Sequence, residues 1–144
     1  MFPIKSFLAA GLVAAAFGLA APAHAAVMSA SCSVSINYSL NGSLVEAYSR
    51  DFTVAEGATY NDDFSTPTRM KTFSATLQRD GARSVLSIDY FNDVGTFNAI
   101  SVDTLVKMLR PGAIESTSGR QGYYASSGVV GTHITDYSLS CRGG

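Results

Sequence analysis

An arginine and two adjacent tyrosines stand together on a glycine-rich stretch, Ser118-Gly119-Arg120-Gln121-Gly122-Tyr123-Tyr124. Tyrosine and arginine combine large contact area with hydrogen bonding at low entropic cost, and they dominate binding hot spots. Glycine lets the backbone come close to a partner. Arg120, Tyr123 and Tyr124 are therefore the candidate binding residues. The competing structural explanation is strand alternation, which sends one tyrosine into the core and the other to solvent.

The other chemistry-bearing residues do not assemble into a site. His133 is the only histidine beyond the leader described below, and a metal centre needs several converging ligands. The carboxylates are scattered. Asp80 and Asp93 fall in turn contexts, and Asn61-Asp62-Asp63 lacks the alternating ligands and distal glutamate of a calcium loop. Serines are abundant, but no Gly-x-Ser-x-Gly elbow occurs. No catalytic residue, metal or cofactor is expected, and a small hydrolase trails every other reading.

The elements that position these residues begin with Cys32 to Leu40, where Cys32, Val34, Ile36, Tyr38 and Leu40 alternate with small polar residues. That is the period of a half-buried strand. The only other cysteine, Cys141, closes a second such run from His133. An antiparallel pairing with Cys32 opposite Cys141 places Val34 opposite Leu139, Ile36 opposite Tyr137 and Tyr38 opposite Thr135. Two cysteines allow one disulfide, Cys32–Cys141, and no Cys-x-x-Cys redox motif exists.

The chain opens with Lys5, an apolar run from Phe7 to Ala21, and Ala23-His24-Ala25. This reads as a secretory signal peptide over 1–25, cleaved after Ala25. Cleavage removes 25 of the 144 residues and leaves 119, the size of one domain, 26–144. Losing Lys5 from ten basic residues set against eleven acidic ones gives the mature chain a net charge of about −2. No basic stripe is present, so nucleic acid is not an expected partner. Stable membrane insertion of the mature chain is not expected either, since a spanning helix needs ~20 apolar residues. The expected location is periplasmic or extracellular.

Along the domain, Asn41-Gly42 signals a hairpin. A two-residue turn there pairs Tyr38 with Val45, and a three-residue loop pairs it with Leu44. Residues 55–71 read as a long loop holding a short strand near Thr59 to Phe64. Asp80-Gly81 as a turn sets Phe73 opposite Ile88 and Ala75 opposite Leu86. Residues 97–110 fit a strand or, with better punctuation from Ser101, Asp103 and Pro111-Gly112, a short helix near 102–110. The glycine-rich run Ile114 to Gly131 reads as one or two short strands with a mobile tip near Gly119, and 116–128 together with 55–71 as the candidate binding loops. The expected fold is all-β: an antiparallel sandwich or partly closed barrel of six to seven strands.

Ser118 to Tyr123 resembles the Ser-Gly-x-x-Tyr inhibitory loop of bacterial periplasmic inhibitors of C-type lysozyme, which are small exported β-barrels. The spacing here is one residue longer, and no lysine follows Tyr123. The resemblance covers six residues and implies an inhibitor of a cell-wall-degrading enzyme. The residues themselves point to an exported module that binds a protein partner. The alternative is a structural or surface-assembly subunit that acts by strand addition.

Overall fold

The computed structural model describes residues 27–95 and 98–144; the leader and the cleavage point after Ala25 lie outside the described residues. Eight strands are described: β1 (Ser29–Leu40), β2 (Ser43–Ala55), β3 (Thr59–Asp63), β4 (Lys71–Asp80), β5 (Arg83–Gly95), β6 (Asn98–Met108), β7 (Ile114–Ala125) and β8 (Gly131–Gly143). They form two antiparallel sheets, ordered β2-β1-β8-β7 and β3-β4-β5-β6. Each strand lies beside its sequence neighbour except where the chain crosses between sheets, at β2–β3 and β6–β7. The last strand returns beside the first. This is an up-and-down meander folded into a sandwich, with no ladder among the described residues closing it into a barrel.

The alternation that marks β1 also fixes its pairing. Cys32 lies opposite Cys141, Val34 opposite Leu139, Ile36 opposite Tyr137 and Tyr38 opposite Thr135, and Cys32 and Cys141 are disulfide-bonded. The β1–β2 hairpin takes neither expected register. Asn41 and Gly42 both have positive φ (49° and 81°), as a two-residue type I′ turn requires. A bulge then shifts the ladder so that Tyr38 faces Glu46. The extra residue puts Ile36 opposite Tyr48, Cys32 opposite Phe52 and Ala30 opposite Val54, which brings β2's apolar residues onto the buried face.

The β4–β5 loop is Gly81-Ala82, with φ +61° at Gly81, and Asp80 already pairs with Arg83. Phe73 therefore opposes Tyr90, while Ala75 opposes Ile88 and Leu77 opposes Leu86. The ladder is displaced by two residues from the expected one. A slip of two keeps every side chain on its own face, so hydrophobic pattern alone does not separate these registers.

The helix expected near 102–110 is absent, and β6 runs through it as a strand. Ile100, Val102, Val106 and Met108 are buried at period two, whereas Leu105 and Leu109, which with Val102 and Val106 lie at the spacing of a helical stripe, are exposed. Burial on one sheet face outweighs the capping signals. The glycine-rich tip near Gly119 is likewise a correction, because 114–125 is continuous strand paired with β8. Gly119 lies opposite Tyr137, and a Cβ there would come within 2.5 Å of that ring. The tyrosine covers the bare glycine, the device known as aromatic rescue.

The core fills the gap between the sheets, and its two lateral seams differ. At the β2/β3 seam the rings of Phe52 and Tyr60 stack at 5.0 Å and those of Tyr48 and Phe64 at 4.7 Å. Each such pair adds about 0.5–1.5 kcal/mol beyond its buried area. At the β6/β7 seam the inward side chains of β7 include Glu115, Thr117 and Gln121, none of them buried. No residue of β7 is buried on either face.

Candidate functional site

The ladder shows which groups β7 leaves free. Cys32 and Cys141 lie directly opposite with Cα atoms 4.1 Å apart, the close spacing of a non-hydrogen-bonded antiparallel pair. The peptide groups of Cys141 therefore turn toward β7, where Cys141 opposes Glu115. In the same phase, the N–H of Gly143 donates to the Ala113 carbonyl at 3.1 Å. Odd-numbered residues of β7 thus bond to β8. Ser116, Ser118, Arg120, Gly122 and Tyr124 direct their N–H and C=O groups to the open edge of the sheet.

The pleat also divides the three candidate binding residues. Arg120 and Tyr124 project from the outer face of the β2-β1-β8-β7 sheet, together with Ile114, while Tyr123 projects inward. Arg120 makes a two-pronged ion pair with Asp136 on β8, Nε to Oδ1 at 2.5 Å and an Nη to Oδ2 at 3.1 Å. Those hydrogen bonds hold the Asp136 carboxyl below its ordinary range and the arginine above its own. The guanidinium is held in place but well exposed. Tyr124 is the most exposed large apolar residue of the described chain, at 68%.

Tyr123 has a different task. Its ring lies parallel to the His133 ring, 4.6 Å away and tilted by 5°. His133 is buried and both nitrogens are engaged, Nδ1 with the Tyr38 hydroxyl at 2.9 Å and Nε2 with the Val129 carbonyl at 2.8 Å. A carbonyl only accepts, so Nε2 carries the proton and Nδ1 accepts from Tyr38. Burial, and then the nearby Tyr123, push the Tyr38 hydroxyl pKa upward. The histidine is a satisfied core residue under a tyrosine lid.

The long segment 55–71 does not converge on a ligand. β3 turns Asp62 and Asp63 to opposite faces; Asp62 accepts from the Tyr48 hydroxyl at 2.9 Å and from Arg50 at 2.8 Å, and Asp63 from the Ser65 N–H at 3.0 Å. Among the described residues no group of three or more potential metal ligands occurs.

Two clusters escaped the sequence. Asp89 and Asp103 oppose each other on the outer face of the second sheet, and burial followed by the like charge of Asp103 raises the Asp89 pKa. Their pairing was hidden because residues 97–110 fit a short helix as well as a strand. Asn92, which reads as a turn residue, is fully buried beside the Glu46–Lys71 ion pair; its Nδ2 donates to the Tyr90 hydroxyl at 3.1 Å while its Oδ1 has no hydrogen-bond partner among the described residues. Nothing in the sequence signals it, because Asn92-Asp93-Val94-Gly95 has the composition of a turn.

No protein-family model matches the chain, and no curated protein gives a significant match.

Proposed function

We propose that this chain is an exported protein-binding module whose contact surface is β7, with Arg120 and Tyr124 as its outward side-chain anchors. The observation that carries the reading is β7 itself: a twelve-residue edge strand, unburied on both faces, that holds the exposed arginine and tyrosine on one side of its sheet. Free edge amides supply main-chain bonds to an incoming strand, and side chains beside them supply selectivity. Export is supported by the leader-like N-terminus and by the Cys32–Cys141 disulfide, which suits an oxidising compartment. Among the described residues no helix is long and apolar enough to cross a membrane.

Strand addition, the assembly-subunit mode, fits an open edge. The inhibitor mode, with a cell-wall-degrading enzyme as target, would use the same strand to occupy the enzyme's cleft. The test is capture of partners from periplasmic and secreted extracts by the mature domain, compared with Arg120→Ala and Tyr124→Ala. Each change should weaken the captured complex by ~2 kcal/mol, about thirtyfold, and leave melting unaltered. Tyr123→Ala should instead lower the melting temperature, because it uncovers His133. Capture that survives both outward truncations refutes the assignment of the surface.

A further inference from the structure

The four sheet edges are not equally protected. β3 is five residues long. β2 is interrupted by its bulge, and its Glu46 and Arg50 are tied across the seam to Lys71 and Asp62. β6 carries Asp103 against Asp89. Short length, bulges and unbalanced charge are the devices that keep edges from pairing. β7 has little of this: it is twelve residues long, pairs with β8 without a register shift, contains no proline or lysine, and neutralises Arg120 within its own sheet, leaving the inward Glu115 as its other charge. An edge of that kind is a template for another strand.

We infer that the strand added to β7 is the β7 of a second copy of this chain, antiparallel about a twofold axis at Gly119. The inference rests on the reading of β7 as the contact surface and names its occupant. A twofold pairing that continues the sheet must set outward residues against outward residues, so the axis passes through a residue. With the axis at Gly119, Ile114 opposes the partner's Tyr124, Ser116 opposes the partner's Gly122, and Ser118 opposes the partner's Arg120. The residues brought into hydrogen-bonded pairs are the even-numbered ones whose amides point outward.

This register also joins the two large exposed apolar side chains of the strand's outer face, Ile114 at 58% and Tyr124 at 68% exposure. An aromatic opposite a β-branched residue is a favourable cross-strand pair. On the inward side it sets Glu115 opposite the partner's Tyr123 and Thr117 opposite the partner's Gln121, with no like charges facing. The neighbouring registers are worse. An axis at Ser118 leaves Ile114 facing glycine and carries Tyr124 past the end of the strand. An axis at Arg120 opposes two arginines, which is destabilising. The product is one eight-stranded sheet, β2-β1-β8-β7 continued into β7-β8-β1-β2 of the second copy.

The experiment is sedimentation equilibrium of the oxidised mature protein over a wide concentration range, with three variants. Ser118→Pro removes an outward N–H and leaves the bonds to β8 intact; it should be monomeric where the parent is dimeric. Ile114→Lys with Tyr124→Lys sets like charges opposite one another in the Gly119 register and should weaken the dimer by about tenfold or more. Ile114→Glu with Tyr124→Lys sets opposite charges there and should restore it. Neither double variant alters a buried residue, so both remain informative if the proline variant misfolds. A parent that stays monomeric at every concentration overturns the inference, as does a dimer indifferent to all three variants. Extract capture with the same variants judges the β7 surface separately: a monomer that loses a different partner on Ser118→Pro refutes self-pairing alone, and a β7 dimer that captures nothing refutes only the partner search.

Discussion

Replacing Gly119 by alanine adds a single methyl group, and the structure says what it meets. The new Cβ would lie 2.5 Å from Cζ and the hydroxyl of Tyr137 and 2.6 Å from its Cε1. Carbon atoms in contact settle at about 3.5–4.0 Å, so the ring has to retreat by roughly 1 Å. Tyr137 packs against the main core, which leaves that retreat few places to go. Overpacking of this kind costs about 1–3 kcal/mol. Alanine is better than glycine inside a strand by about 0.5–1 kcal/mol, which offsets part of it. The net expectation is a loss of up to about 2.5 kcal/mol in urea unfolding. The decisive version is a double-mutant cycle. In a Tyr137→Ala background the obstruction is gone, and Gly119→Ala should become stabilising by about 0.5–1 kcal/mol. If Gly119→Ala has the same sign in both backgrounds, Tyr137 does not lie over Gly119, and the explanation of this glycine fails.

Cys32→Ser with Cys141→Ser should cost about 2–4 kcal/mol, since the bridge spans 109 residues of sequence; an unchanged urea midpoint would show that it contributes nothing. Gly81→Val forces a β-branched residue to φ +61° and should destabilise by about 1 kcal/mol or more, read as a lower melting temperature; no change would mean that the turn relaxes freely. Asp89, with its pKa raised by burial and by Asp103, holds a proton in the folded state above the pH at which it loses one unfolded, so this pair lowers stability as pH rises through that window. Asp103→Asn should therefore stabilise by about 0.2–1 kcal/mol at pH 7 and by nothing near pH 3. Equal shifts in melting at both pH values would contradict the charge explanation.

How far the sequence reads depends on burial. β1 and β8 were legible to the residue because each has one face in the core and one in solvent, and alternation then fixes the register. β4 and β5 were legible as strands but were placed two residues out, a slip to which alternation is blind. β6 stayed open between strand and helix because Val102, Leu105, Val106 and Leu109 trace a helical stripe; only the sandwich, by burying Ile100, Val102, Val106 and Met108, decides for a strand. β7 was legible only as one or two short strands broken by a tip near Gly119, because a strand buried on neither face carries no hydrophobic period to show that it is continuous. The candidate site suffered the same loss. Arg120, Tyr123 and Tyr124 are a cluster in sequence, but adjacent tyrosines point to opposite sides of a sheet, so Tyr123 closes over His133 while Arg120 and Tyr124 face outward.

The meeting of the first and last strands also has a mechanical meaning. The N–H of Met28 donates to the Gly144 carbonyl at 2.9 Å, and the N–H of Gly144 donates to the Ser29 carbonyl at 2.8 Å, so the two ends of the described chain leave side by side. A pull applied between Val27 and Gly144 runs through the Cys32–Cys141 bond after peeling only the few residues outside it. At about 3.3–3.6 Å per extended residue, the oxidised protein yields a few nanometres before covalent bonds bear the load. Apart from the outermost residues of β1 and β8, both sheets, with β7 among them, lie inside that loop and feel no tension. Once the bond is reduced, the same pull unzips β1 from β8 one pair at a time and reaches the core.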